Sequence, residues 1–582
     1  MSIVARANLS PASHEEHLAR LESATLEYPL DVLVIGGGAT GAGAAFDAAS
    51  RGLDVGLVEA GDLASGTSSR SSKLIHGGLR YLQMLDFTLV AEALRERDLL
   101  LTRTAPHLVR PVSFVFPFAR KVIDRVFIGS GVALYDTLQS LGRRRAVPLH
   151  RHLLHDKLMT VFPALDGSKL AGAVEYHDAQ VDDARLVMML ARSAALHDAA
   201  IATYTRVIDY VREDGRVIGV KARDEETGHE FVIHAREIIL ATGVWTQEQQ
   251  EIAEAETGLR VLASKGIHIT VPKDRIPAKP ATGIITQTEK SVLFLIPSDE
   301  YWIIGTTDTP WTEDVAHPAA TAADIEYVLD HANEILASDL TREDVIGVYA
   351  GLRPLLQPVS KGEKAASAST KVSREHTVMT IEPGLTAVAG GKLTTYRVMA
   401  EDVVDHAIRE SFPDRPSLTA SLPIVGAQGY RELTAQRSEI ARIREYDLVR
   451  VDRLLGRYGA LLPEVMALID TDPSLGEPLE GDERYLRAEV VYAVRAEGAR
   501  HVADVLMRRT RSDYEVADRG AGAAAEVAAL MAPELGWDAE REALEAETYR
   551  AHIAARLAGE QARDDASAAA ALADAPEVPR RA

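Results

Sequence analysis

DVLVIGGGATGAGAAFDAASRGLDVGLVE, residues 31–59, places a strand, a glycine turn, a helix and a second strand in one run. Asp31 to Ile35 is apolar enough for a buried strand, and Ala42 to Arg51 reads as an alanine-rich helix ended by Gly52. Leu53 to Val58 then reads as a second strand that delivers Glu59. Gly36, Gly38 and Gly41 make a G-x-G-x-x-G turn. In such a turn the first glycine permits the tight bend, the second lets backbone approach a pyrophosphate, and the third lets helix and strand pack closely. The helix N-terminus offers free N–H groups and a positive dipole end to phosphate. A carboxylate at the end of the second strand accepts hydrogen bonds from ribose hydroxyls, and Glu59 stands there, eighteen residues beyond Gly41. The run therefore predicts a doubly wound α/β domain that binds a dinucleotide.

The 582 residues exceed one ordinary domain, and 46% apolar with 26% charged residues is a globular composition. There is no cysteine, which excludes disulfides, thiolate metal sites, thiol nucleophiles and cysteinyl-flavin linkage, and fits a reducing cytoplasm. The 86 acidic and 64 basic residues give a net charge of -22, which opposes nonspecific nucleic-acid binding. No apolar run approaches the roughly 20 residues that span a bilayer. The expectation is a soluble or peripherally bound chain without a metal. His14 and His17, and His150, His152 and His155, read as residues of solvated helix faces.

Residues 1–29 read as an extension carrying one amphipathic helix. After Glu59 comes a stretch dense in Gly, Ser and Thr, Asp62 to Met84, with Lys73, His76, Arg80 and Tyr81 embedded in it. Such composition suits backbone and hydroxyl groups that wrap a polar ligand. Val126 to Leu141 is an apolar segment flanked by Arg120, Lys121, Arg125 and Arg143 to Arg145; it fits a helix lying in an anionic membrane surface, or a buried helix with solvated ends. Val181 to Asp198 reads as a helix, Ala200 to Val207 as a strand, and two hairpins follow at Asp214-Gly215 and Thr227-Gly228. A buried strand from Glu237 leads to Ala241, Thr242 and Gly243. In the next strand, a period of two puts Lys265, Ile267 and Ile269 on one face and His268 on the other. Ser298 to Glu300 turns a further hairpin, and Gln357 to Lys371 reads as a polar loop. Leu385 to Ala389 is another buried strand, and Gly390-Gly391-Lys392 opens a second glycine-led helix.

Six motifs in order, GGGATGAGAAFDAASRGL, ASGTSSRSSKLIHGGLRYL, VDDARLV, IIGTTDT, GLRPL and GGKLTTYR, closely resemble the FAD-dependent, quinone-linked glycerol-3-phosphate dehydrogenases of the bacterial aerobic type, from about Tyr28 to about Arg511. The resemblance implies a glutathione-reductase-like Rossmann FAD domain with an interleaved α+β substrate domain and a C-terminal helical cap. The FAD-binding parts are expected at 30–110, 181–250 and 384–423. A substrate and membrane-facing segment is expected at 111–180, the substrate domain at 251–383, helices at 424–560 and a disordered tail at 561–582. The implied cofactor is non-covalent FAD. It would be faced by Gly36, Gly37, Gly38, Thr40, Gly41 and Glu59; by Thr67, Ser68, Ser71, Ser72, Leu74, His76, Gly77 and Gly78; and by Ala241, Thr242, Gly243, Gly391, Lys392, Leu393 and Thr394.

The implied reaction is oxidation of sn-glycerol 3-phosphate to dihydroxyacetone phosphate, with hydride passing from C2 to FAD and electrons to a membrane quinone. Arg80, Tyr81 and Arg374 match positions that contact the phosphate, where a planar guanidinium can donate in pairs. Arg353 and Lys392 match positions near the reacting carbon, where fixed cations stabilise an alkoxide. His268 is the expected proton acceptor, titrating near its ordinary value, with His76 as competitor. The implied location is the inner face of the cell membrane, on anionic lipid, with a homodimer as the assembly considered. An oxidase reducing O2, an amino-acid oxidase of like architecture and a non-catalytic nucleotide-binding regulator stand as the other readings.

Overall fold

Val32 to Ile35 are buried on both faces of their strand, as suits the middle of a parallel sheet covered on both sides. Val32 and Val34 enter one apolar core with the helices Ala39–Ser50, Asp183–Leu196 and Tyr396–Ile408. Leu33 and Ile35 enter another with Leu21 of the N-terminal helix Pro11–Glu22 and the strands beyond. Each such aliphatic side chain contributes about 1.5–3 kcal/mol on leaving water. In the computed structural model the described residues are 6–78, 87–120, 123–140, 146–254, 259–288, 292–358 and 376–579.

The sheet runs in spatial order Leu385–Gly390, Glu230–Leu240, Leu30–Ile35, Val55–Val58 and Ala200–Ala202, all parallel, with His376–Glu382 antiparallel on its outer edge. The strand Glu230–Leu240 serves two layers. Its first half pairs antiparallel with Arg216–Asp224, which pairs with Thr205–Glu213, and its second half lies beside Leu30–Ile35. The sequence suggested one strand from Ala200 to Val207. It is two, Ala200–Ala202 and Thr205–Glu213, because the chain turns out of the sheet at Tyr204, whose φ is 54°.

A second, ten-stranded sheet is built from both remaining segments. Arg110–Phe118 and Gly172–Gln180 join Thr282–Gln287, the hairpin Val292–Pro297 and Tyr301–Gly305, and the long pair Leu259–Pro272 and Gly347–Pro358. Leu74–Ile75, at the end of the serine-rich stretch, is its far edge. The apolar segment forms the helix Ile123–Ser140. Val132 and Tyr135 on one face are buried, while Val126, Ser130 and Leu134, at four-residue spacing, are exposed. The inner face is that of a buried helix, and the outer face presents apolar side chains to the surface. The polar loop from Gln357 lies outside the described residues beyond 358.

The C-terminal helices have their own core, with Val490, Val527, Met531 and Tyr549. Buried ion pairs fasten them to the nucleotide domain, Arg185 to Glu497 and Arg511 to Asp183. The expectation of a disordered tail is overturned: Asp565–Ala573 is a helix, capped by Asp564 accepting from the Ser567 N–H at 2.8 Å. Ala568 and Leu572 are buried in a cluster with Val244, Trp311 and Leu352. Alanine is the best helix former, and its small face fits a shallow seat, so the composition that suggested disorder makes a docked helix instead.

Candidate active site

The glycine turn has the geometry its spacing predicts. Gly36 has φ 111°, and a Cβ there would stand 2.6 Å from the Ala241 carbonyl oxygen, so the turn nestles against the end of the neighbouring strand. A Cβ on Gly41 would fall 1.8 Å from the Gly36 oxygen. Gly38 and Thr40 border a cleft of about 470 Å³ at the N-terminus of the helix Ala39–Ser50, and the Ala39 N–H is held by Ser68 Oγ at 3.0 Å. Glu59, also on the cleft, accepts from the N–H groups of Gly37 at 2.6 Å and Gly61 at 2.9 Å; burial nevertheless holds its carboxyl above the usual range. The cleft continues past Thr205 to Val207, Ala241 to Gly243, and Gly390 to Leu393. Glycines, a helix N-terminus and an acid at the strand end are the donor and acceptor set of a dinucleotide, so these residues fit FAD.

At Thr67, Ser71, Pro354, Gly391, Lys392 and Leu393 this cleft meets a smaller chamber of about 190 Å³. His268 and Gly266 from one strand of the second sheet, Leu352 and Arg353 from its partner, and Ser72, Leu74 and His76 line the chamber. The register sets His268 opposite Tyr349 and Gly266 opposite Gly351. His268 is 2% exposed, its ring stacked on Tyr349 at 4.8 Å with 14° between planes. Its Nε2 is 2.8 Å from Ser72 Oγ, and its Nδ1 has no hydrogen-bond partner among the described residues. Burial, then the charges of Arg353 and Lys73, press its pKa well below the ordinary imidazole value. The expectation that it titrates near 6.5 is thereby corrected.

Arg353 is anchored through Nη2, which donates to Thr306 Oγ1 at 2.9 Å and the Thr307 carbonyl at 3.1 Å, with Asp308 3.4 Å away. Lys392 borders both cavities and precedes the turn Leu393–Thr395. Several residues expected on the cofactor spend their side chains on the protein. Thr67 donates to the Leu352 carbonyl at 2.7 Å, and Ser71 to Asp183 at 2.6 Å. Thr394 is bonded to the backbone of His76 in both directions, at 3.0 and 3.1 Å. Gly77 is pressed against Tyr135 and Leu94, and neither it nor Gly78 borders either cavity. Arg80, Tyr81 and Arg374 lie outside the described residues.

Sequence reasoning missed Tyr349 and Asp183, and singled out Lys73 without its partners. Lys73, buried beneath Tyr349, donates to Asp183 at 2.8 Å and the Ser69 carbonyl at 3.0 Å. Strand register would have found Tyr349, but register between distant strands is not written locally. Of the histidines read as solvated, His152 and His155 are exposed, whereas His14, His17 and His150 are half-buried. His14 is half-buried with its pKa pushed down to about 3 by burial, His17 Nδ1 is 3.1 Å from the Ile201 oxygen, and His150 Nδ1 is 2.6 Å from Asp136. Among the described residues no group of three or more His, Cys, Asp or Glu is arranged to hold a metal ion.

A parallel sheet bearing a glycine-led dinucleotide cleft, joined to a second sheet that walls a reaction chamber, is the architecture of a flavin-dependent oxidoreductase. The family model for FAD dependent oxidoreductase matches residues 31–397, and that for the C-terminal domain of alpha-glycerophosphate oxidase matches 417–542. The chain is 48% identical over 550 residues to glycerol-3-phosphate dehydrogenase 2 of Mycobacterium tuberculosis, covering 94% of this chain and 92% of that one. It is 34% identical to the mitochondrial glycerol-3-phosphate dehydrogenase of Homo sapiens, over 93% of this chain and 75% of that one. Among solved structures, the Bacillus halodurans glycerol-3-phosphate dehydrogenase complexed with FAD superposes with a TM-score of 0.75 at 28% identity, covering 94% of this chain and 98% of that one. The chain belongs to the FAD-dependent glycerol-3-phosphate dehydrogenases.

Proposed function

We propose that this chain oxidises sn-glycerol 3-phosphate to dihydroxyacetone phosphate, the C2 hydrogen leaving as hydride and the hydroxyl proton passing to His268, with a membrane quinone as final acceptor. FAD, when bound along the glycine-led helix, supplies the hydride acceptor. The observation that carries the reading is His268 itself, an imidazole kept neutral by burial in a chamber that opens onto the dinucleotide cleft. A neutral ring is the form that accepts a proton. Arg353 and Lys392 bring cations to the same chamber, where they stabilise charge on the substrate oxygen as its proton leaves. Arg80, Tyr81 and Arg374 are assigned to the phosphate on the strength of the motif resemblance.

The quinone and peripheral attachment to the inner face of the cell membrane are supported by the outer face of the helix Ile123–Ser140. Val126 and Leu134 stand exposed there with Arg125 beside them, and Leu149 and Leu154 are exposed beyond. No helix among the described residues is long and apolar enough to cross a membrane. The test is anaerobic titration with sn-glycerol 3-phosphate. Bleaching of flavin absorbance, followed by reoxidation on adding a quinone analogue, is expected; peroxide release in air without a quinone response would move the assignment to an oxidase, and absence of bleaching would end it.

A further inference from the structure

Glu577 lies 504 to 506 positions beyond Ser71 to Lys73 in the sequence, yet it is tied to the loop that carries them. Its Oε1 accepts from Arg70 Nη2 at 3.0 Å, and its Oε2 from Arg508 Nη1 at 3.1 Å. Arg70 borders the reaction chamber, and Glu577 is the carboxylate ion-paired with it among the described residues. Burial disfavours the cationic form of Arg70 most; Glu577 is the leading charge that favours it, Arg556 and Arg508 oppose it, and Asp513 favours it more weakly. Arg508 also holds Asp62, at the start of the loop, and Asp504 at 2.8 Å. On the other side of the chamber, Lys265, three residues before His268, is paired with Asp565 of the C-terminal helix as well as with Asp324. The C-terminal segment thus touches both walls of the chamber, the loop bearing Ser72 and the strand bearing His268. It lies beyond residue 542, where the match to the C-terminal family model ends.

We propose that Glu577 is a positioning residue for the reaction, fixing Arg70 and through it the loop 62–73, so that Ser72 stays in bonding distance of His268. The physical ground is that a guanidinium largely withdrawn from water, as that of Arg70 is, is held in place by its counter-charge. Without Glu577, Arg70 keeps the weaker favourable charge of Asp513 against the like charges of Arg508 and Arg556, and moves toward water, carrying the loop with it. A reacting group displaced by about 1 Å can cost about 10²-fold in rate.

The inference rests on the chamber reading above, and the two fail differently. Holoenzyme carrying Glu577→Gln is compared with wild type and with Glu577→Asp by anaerobic stopped-flow reduction at saturating sn-glycerol 3-phosphate, alongside FAD content and hydrogen exchange of peptides covering residues 62–73. The Gln variant is expected to slow flavin reduction by about 10²-fold and to exchange faster across 62–73, with the Asp variant recovering part of both. Adding Arg70→Met to Glu577→Gln should cost little more, since the two act as one unit. Wild-type reduction rate and wild-type exchange in the Gln variant overturn the proposal, as does faster exchange confined to residues after 560. If the Gln variant does not retain FAD, exchange of the loop in the apoprotein decides by the same criterion. A wild type that glycerol 3-phosphate does not bleach overturns the chamber reading instead, and leaves the exchange result standing.

Discussion

Ser72 Oγ and His268 Nε2 lie 2.8 Å apart, and this bond ties the loop that wraps the cofactor cleft to the strand that carries the candidate base. With Nε2 engaged and the ring stacked on Tyr349, the imidazole cannot swing, and Nδ1 is left without a partner among the described residues. If Nε2 is the protonated nitrogen, its N–H donates to Ser72 and Nδ1 keeps its lone pair for a proton.

Replacing His268 by Ala is expected to slow flavin reduction by about 10²–10⁴-fold, the worth of a positioned base. The sign of its shift fixes the pH profile. A base acts when deprotonated, and burial with Arg353 and Lys73 holds this one deprotonated to well below pH 6.5. Reduction at saturating substrate should therefore be flat through neutrality and fall only on acidification well below pH 6.5. Stopped-flow rates across pH give the answer: an acid limb centred at or above 6.5, or one retained in the Ala variant, assigns the base elsewhere, with His76 next.

Ser72→Ala should slow reduction by about tenfold, corresponding to one hydrogen bond of roughly 1.4 kcal/mol. Ser72→Thr keeps the hydroxyl and should recover most of the rate. Equal rates for Ala and wild type would show that stacking on Tyr349 alone orients the ring.

Gly38 and Gly41 should fail differently. The nearest atom to a Cβ on Gly38 is Ser68 Oγ at 3.2 Å, and the residue borders the cleft, so Gly38→Val should abolish FAD retention with little change in thermal stability of the apoprotein. Gly41→Ala sets a methyl 1.8 Å from the Gly36 oxygen and should destabilise the fold by about 1–3 kcal/mol even without cofactor. Denaturant titration of both apoproteins, with flavin content of both holoproteins, separates the roles; identical behaviour refutes the distinction.

On the outer helix, Arg125→Glu with Val126→Asp should reduce binding to vesicles containing anionic lipid and leave dye-linked activity in solution unchanged, since both side chains are exposed. Sedimentation with vesicles measures the first and dye reduction the second. Undiminished sedimentation would remove this face from the membrane assignment.

The nucleotide half was legible because its signals are local. Strand, glycines, helix and acid all fall within residues 31–59, and the fold places Gly36, Gly41 and Glu59 as their spacing predicts. The chamber was legible only in part. His268 and Arg353 were found by motif resemblance, but the partners that define their state were hidden: Ser72 is 196 positions from His268, and Tyr349 reaches it through strand register. Asp565–Ala573 was misread because alanine and aspartate together suggest disorder until a hydrophobic seat is known, and that seat is made by Val244, Trp311 and Leu352.

The strand Leu30–Ile35 finds its neighbours in Val55–Val58 on one side and Glu230–Leu240 on the other, and the latter in turn needs Leu385–Gly390. During synthesis, then, Leu30–Ile35 waits for Glu230–Leu240, and that strand waits in turn for Leu385–Gly390. At a translation rate of about 5–20 residues per second, the delay is on the order of tens of seconds, during which an apolar strand edge stands open. Flavin added to a ribosome-bound fragment that stops before Leu385 has an incomplete sheet to bind.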